Sequence, residues 1–124
     1  MGKGQILIVD DDEDLVESLS GLLYDEGFKV SSTADGREAL ALIRTVAPAV
    51  VLLDVWLPGM DGVETLRRIA EIDPPLRVIM VTANADIGLT SRLLAMGAVD
   101  YIPKPFDLEY LEQAVSIQLA ASQD

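Results

Sequence analysis

The sequence predicts an α/β domain built on a five-stranded parallel sheet with helices on both faces. Three observations carry this reading. Short apolar runs alternate five times with amphipathic helical stretches, separated only by short turns. The apolar runs are too short for core helices and are rich in β-branched and aliphatic residues, as strands buried on both faces are. Two of them run straight into a carboxylate: Ile6-Leu7-Ile8-Val9 into Asp10, and Val50-Val51-Leu52-Leu53 into Asp54. A charge at the end of a buried strand is costly unless it is hydrated, paired or metal-bound, which marks those positions for chemistry.

Taken in order, Gln5–Val9 is the first strand. Asp10 to Asp14 is an unbroken acidic run; Asp12 is the expected N-cap of the helix that follows, and Glu13 and Asp14 suit its first turn. Leu15, Leu19, Leu22 and Leu23 recur at helical spacing, and Gly27 stops that helix. A brief strand is expected at 28–32, then a turn at Asp35-Gly36. Ala39, Leu40, Ile43, Val46 and Ala47 mark the second helix, closed by Pro48. After the third strand, Pro58-Gly59 and Asp61-Gly62 are read as loop geometry. Val63, Leu66, Ile69 and Ala70 stripe the third helix, which Pro74-Pro75 ends. The fourth strand, 78–81, leads into Thr82. The fourth helix is expected over 86–96, with Leu89, Leu93 and Leu94 as a poorly marked stripe interrupted by Ser91 and Arg92. A strand at 99–102 precedes Pro103-Lys104-Pro105-Phe106, and Leu108, Leu111, Val115 and Leu119 mark the fifth helix. Right-handed crossovers leave few topologies, of which the flavodoxin-like three-layer (βα)5 order 2-1-3-4-5 is common at this size. Residues 1–124 are expected to be a single domain, with 120–124 a polar tail or the start of a linker.

Composition removes several functions. The net charge of -12 argues against binding nucleic acid or an anionic membrane. With no cysteine and no histidine, disulfides, thiolate or imidazole metal sites and Ser-His or Cys-His nucleophiles are excluded. No apolar run approaches a membrane span, and the N-terminus lacks a secretory h-region and cleavage site. Ile6 also stands where a myristoylation signal needs Ser or Thr. A cytoplasmic location is expected.

In an open α/β sheet, ligands bind beyond the carboxyl ends of the strands, at the switch in strand order. The predicted order brings Asp10, Asp11, Asp54, Thr82 and Lys104 to that edge. Three carboxylates there repel, and their field calls for a cation; an all-oxygen set selects a hard ion such as Mg2+. Lys104 offers a compact charge for a phosphate oxygen and Thr82 a hydroxyl donor. Together they form an apparatus for phosphoryl transfer, with Asp54 as the nucleophile. Singly, each residue has a plainer reading: Thr82 as a strand residue, Lys104 as a surface lysine, Tyr101 as an edge-strand aromatic, Trp56 as a loop residue of which only the carbonyl is used. All of these would have to coincide at one sheet edge.

The segments Ile8-Val9-Asp10-Asp11, Leu53-Asp54-Val55-Trp56-Leu57-Pro58-Gly59-Met60-Asp61-Gly62, Val81-Thr82-Ala83 and Asp100-Tyr101-Ile102-Pro103-Lys104-Pro105-Phe106 resemble, in order and spacing, the receiver domain of a two-component response regulator. The resemblance covers nearly the whole chain. It implies that Asp54 accepts a phosphoryl group from the phosphohistidine of a sensor histidine kinase or phosphotransfer protein. It implies Mg2+ held by Asp11 directly, Asp10 mainly through water, Asp54, and the Trp56 backbone carbonyl. Thr82 and Lys104 would contact the phosphoryl oxygens, and Thr82 and Tyr101 would form a switch pair. The Lys104-Pro105 bond would be cis. Trp56 and Asn84, two beyond the acceptor and two beyond the threonine, would tune the phosphoryl lifetime. The face made by the fourth helix, fifth strand and fifth helix would control a downstream protein or a covalently linked output domain, with Ile87 and Leu89 as exposed apolar contacts and homodimerisation on phosphorylation as one outcome. Such a domain is not an enzyme beyond its own phosphorylation and dephosphorylation. Two rivals stand beside this reading. A haloacid-dehalogenase-like phosphatase would use Asp10 of Asp10-Asp11-Asp12, but Asp14 stands where that family has Thr or Val. A phosphorylation-independent interaction module would share the fold without using Asp54.

Overall fold

The computed structural model describes residues 4–83 and 86–122. Its elements alternate strictly: β1 (Gln5–Val9), α1 (Glu13–Asp25), β2 (Lys29–Thr33), α2 (Gly36–Val46), β3 (Val50–Leu53), α3 (Gly62–Ile72), β4 (Arg77–Thr82), α4 (Ile87–Ala95), β5 (Asp100–Pro103) and α5 (Leu108–Ser122). The five strands are parallel in the order β2-β1-β3-β4-β5. This is the predicted flavodoxin-like arrangement.

Successive side chains of a strand point to opposite faces, so each buried strand feeds two cores. Leu7, Val9, Val51, Leu53, Val78 and Met80 face the side packed by Ala39, Ile43, Leu66, Ile69 and Leu93. Ile6, Ile8, Val50, Leu52, Ile79 and Val81 face Leu19, Leu23, Leu111, Val115 and Leu119. The sheet is therefore rigid at its centre, and the carboxyl ends of β1, β3 and β4 are fixed relative to one another.

Each of α1 to α4 opens on an aspartate whose side chain takes a first-turn N–H: Asp12 from Leu15, Asp35 from Arg37, Asp61 from Glu64 and Asp86 from Leu89. Thus Asp12 is the N-cap predicted, whereas Asp61 and Gly62 are not merely loop: they cap and begin α3. The second strand starts at Lys29 because Phe28 is buried with its N–H on the Leu23 carbonyl, closing α1. β5 lies one residue later than expected. Helix α2 ends with Ala47 in the left-handed region (φ 52); Pro48 disfavours the right-handed helix at the residue before it. In α4 Leu93 is buried but Leu94 is exposed, so Leu94 is not part of the inner stripe. Within the stretch 120–124, α5 continues through Ser122, as Ala120 and Ala121 are strong helix formers beyond the buried Leu119. Residues 123 and 124 lie outside the described ones.

Candidate functional site

Strand register sets the site. Val9 is level with Leu53, and Leu53 with Met80. The next residues along β1 and β3 are therefore Asp10 and Asp54, side by side; the Asp54 N–H bonds the Val9 carbonyl at 3.0 Å. Thr82 ends β4. Lys104 follows β5 and is tied to the end of β4 by its own N–H on the Thr82 carbonyl at 3.0 Å, and the Lys104-Pro105 bond is cis. Asp10, Asp54 and Thr82 are buried, while Asp11 is exposed at the rim.

The side chains meet on Asp54. Its Oδ1 accepts from the Thr82 hydroxyl at 2.8 Å and from the Trp56 backbone N–H at 3.1 Å. Its Oδ2 accepts from Lys104 Nζ at 3.1 Å, and the same ammonium reaches Asp10 Oδ2 at 2.7 Å. Asp10 Oδ1 takes the Asp12 N–H at 2.9 Å. Burial pushes the Asp10 carboxyl above its ordinary pKa, and the bonds from Lys104 and Asp12 only partly offset this. For Lys104, burial favours the neutral amine, but hydrogen bonds to Asp10 and Asp54 outweigh it and hold its pKa above the usual value. Lys104 is accordingly a fixed positive charge.

One ammonium faces three carboxylates. Asp10, Asp11 and Asp54 each offer an oxygen, all within 4.8 Å of one another. This excess of negative charge, with oxygen the sole donor type, fits a hard divalent cation.

Of the predicted site residues, the structure gathers Asp10, Asp11, Asp54, Thr82 and Lys104 at one sheet edge, with the Trp56 backbone N–H on Asp54; three further placements differ from or add to the expectations. Trp56 makes a side-chain contact that was not expected: the residue is 55% exposed, yet its indole N–H donates to the Ala83 carbonyl at 2.8 Å. Tyr101 is half-buried against the core face that holds Leu89 and Leu93. Ile87 is freely exposed, whereas Leu89 is half-buried, so only Ile87 is the open apolar contact expected. Asn84 lies outside the described residues. Gly62 was missed as a site residue. A Cβ there would lie 2.1 Å from the Asp54 carbonyl oxygen and 2.5 Å from Val55 Cα, so α3 can abut the acceptor loop only with glycine at this point. The Asp-Gly pair was visible in sequence; the close approach behind it was not.

A family model described as the response regulator receiver domain matches residues 6–116. The chain belongs to the receiver-domain family. It is 37% identical over 111 residues to the sporulation initiation phosphotransferase F of Bacillus subtilis, covering 90% of each chain. It is 39% identical over 120 residues to the DNA-binding response regulator MtrA of Mycobacterium tuberculosis, covering 97% of this chain and 52% of that one. Among solved structures, the CheY-like receiver domain protein of Methanospirillum hungatei superposes with a TM-score of 0.92 at 34% identity, covering 96% of this chain and 95% of that one. The receiver thus spans nearly all of some relatives and about half of others.

Receiver domains are signalling domains, phosphorylation-activated switches that control output domains, and they bind Mg2+ at an acidic aspartate pocket. This receiver has such a pocket. Thr82 bonds Asp54, Lys104 bonds both Asp10 and Asp54, and Asp12, the second carboxylate of the Asp-x-Asp, caps α1. Among the described residues, no helix is long and apolar enough to cross a membrane.

Proposed function

We propose that Asp54 is the phosphoacceptor of this receiver. The observation that carries the proposal is the meeting of a hydroxyl from β4 and an ammonium from beyond β5 on the two oxygens of one buried carboxylate, at 2.8 and 3.1 Å. In the reaction, an Asp54 oxygen attacks the phosphorus of a phosphohistidine. The O–P bond forms as the donor's P–N bond breaks, and the electron pair leaves on the imidazole nitrogen. Oδ1 already accepts two hydrogen bonds and Oδ2 one, so Oδ2 has the freer lone pair for attack. Lys104 and Thr82 then turn to the phosphoryl oxygens, where fixed donors in a water-poor site stabilise developing charge. Asp10, Asp11, Asp54 and the Trp56 carbonyl would hold Mg2+, which when bound offsets the negative charge of carboxylate and phosphoryl group together.

The donor is a sensor histidine kinase or phosphotransfer protein. A groove of about 590 Å3 beside Lys104, lined by Asp12, Asp14, Leu15, Pro105 and Phe106, gives it an approach along α1. Thr82 and Tyr101 form the switch pair, and the α4-β5-α5 face, with Ile87 exposed on it, addresses a downstream protein, a second copy or an output domain. Trp56 and Asn84 tune the phosphoryl lifetime. The domain acts on itself and turns over no other substrate; it works in the cytoplasm, without Asp54-independent signalling, and residues 1–124 fold as one unit.

The test is incubation with Mg2+ and a small acyl phosphate, with the labile phosphate mapped by mass. A single label at Asp54, lost in Asp54→Asn, is expected. No label, or a label at Asp10, overturns the assignment. If Asp54→Asn signals and binds its partners as the unmodified and phosphorylated protein both do, the phosphorylation-independent module is the correct reading.

A further inference from the structure

Trp56 is the single tryptophan of the chain. An exposed indole can give its N–H to water, so burial does not force it onto a protein acceptor. Here it nonetheless reaches the Ala83 carbonyl, at 2.8 Å and 27 positions away in sequence. The other end of the same residue is also tied: its backbone N–H is on Asp54 Oδ1. The Thr82 hydroxyl is on that same oxygen, and Thr82 is bonded covalently to Ala83. The result is a closed circuit from the Asp54 carboxylate through Thr82, Ala83 and the Trp56 side chain back to the carboxylate.

A second contact gives the circuit a purpose. The Ala83 carbonyl lies 3.4 Å from the Thr82 hydroxyl and is that hydroxyl's alternative acceptor. A carbonyl oxygen already engaged by a short indole bond competes less well for a second donor. We propose that Trp56 is a positioning residue: by occupying the Ala83 carbonyl, its indole N–H keeps the Thr82 hydroxyl directed at the acceptor carboxylate. This rests on Asp54 being the phosphoacceptor, and goes beyond it by assigning the indole a role separate from its bulk. A bulky ring that only excludes water would slow hydrolysis and leave Thr82 unaffected. A ring that acts through its N–H alters phosphoryl uptake, because Thr82 is then no longer pre-positioned for the incoming group.

Trp56→Phe separates the two, since it keeps most of the ring and removes the donor. Uptake from a small acyl phosphate with Mg2+ is measured for the wild type, Trp56→Phe, Trp56→Ala, Thr82→Ala and the Trp56→Phe/Thr82→Ala double variant. The expected result is a slowing of about three- to tenfold in Trp56→Phe, the range a net hydrogen bond supplies, with a similar slowing in Trp56→Ala. In the Thr82→Ala background Trp56→Phe has no further effect, because the two residues act as one unit. Wild-type uptake in Trp56→Phe, or the full slowing retained without Thr82, overturns the proposal. So does a change confined to Trp56→Ala, which would assign the role to bulk.

A second measurement needs no phosphoryl donor. The sole tryptophan gives one indole N–H signal by 15N NMR. It is expected to be protected from exchange in the wild type, and the Thr82 methyl signal is expected to move in Trp56→Phe. A freely exchanging indole or an unmoved methyl overturns the positioning role. Absence of phosphorylation in the wild type would instead overturn the acceptor assignment, so the two failures are distinguishable.

Discussion

Replacing Asp54 by Asn should make the metal-free protein more stable. The carboxylate lies 3.1 Å from Lys104 Nζ, an attraction of about 5 kcal/mol at an effective dielectric of about 20. Against this stand Asp10 and Asp11, whose nearest oxygens are no further than 4.8 Å, each repelling Asp54 by about 3.5 kcal/mol on the same scale. The two repulsions together exceed the attraction by about 2 kcal/mol. Desolvation of the buried charge adds to the imbalance. An amide at position 54 keeps an oxygen for the Thr82 hydroxyl and the Trp56 N–H, and Lys104 keeps Asp10. The net gain is thus about 2 kcal/mol, or roughly 6–10 °C in Tm for a domain of this size.

The assay is urea unfolding at low ionic strength in the presence of a chelator, followed by repetition in Mg2+. The variant should unfold at the higher midpoint without metal. With Mg2+ the gap should narrow, because the wild type binds the ion more tightly and gains more by mass action. A variant less stable than the wild type in chelator would refute the charge balance. An equal response of both proteins to Mg2+ would refute the role of Asp54 as a ligand.

Gly62→Ala places a methyl within 2.1 Å of the Asp54 carbonyl oxygen and should cost about 1–3 kcal/mol, with slower phosphoryl uptake as the acceptor loop shifts; unfolding and labelling at wild-type values would show that α3 yields freely. Lys104→Met removes the ammonium shared by Asp10 and Asp54 and should cost about 3 kcal/mol in chelator, with partial recovery in Mg2+; an unchanged midpoint in chelator would contradict the pairing. Glu64, hydrogen-bonded by Arg67 and Arg68, is held at a pKa of about 2 against an ordinary 4.5. A depressed folded pKa means that its support of α3 is complete above 4.5 and is lost as pH falls through about 2. Carboxyl NMR should show that midpoint, returned to the ordinary range in Arg67→Gln/Arg68→Gln; the same midpoint in both proteins would refute the cause.

The sheet was legible in sequence because buried parallel strands leave a strong local trace: β3 and β4 are nearly unbroken aliphatic runs. The first tier of the site was legible for a related reason. Strand order and register together dictate that residues at or just past the carboxyl ends of β1, β3, β4 and β5 share an edge, so topology alone groups Asp10, Asp54, Thr82 and Lys104. Features that depend on approach in space were not legible. Nothing in the local pattern says that Gly62 packs on the backbone of Asp54, nor that the Trp56 indole crosses to Ala83, since neither depends on periodicity or charge. The exposure of Leu94 was hidden for the opposite reason: α4 is apolar on more than one face, so spacing alone could not choose which leucine turns inward.

That ambiguity in α4 bears on function. A helix with a single apolar stripe has one seat on its sheet. α4 instead buries only Leu93 fully and leaves Ile87 and Leu94 at the surface. Its attachment is therefore weaker than that of α3, where Leu66 and Ile69 are both fully buried. The acceptor side of the sheet shows the complementary property: rigid strands hold like charges closer than their energies favour. An element with little burial to lose is the one that a modest free-energy change displaces first.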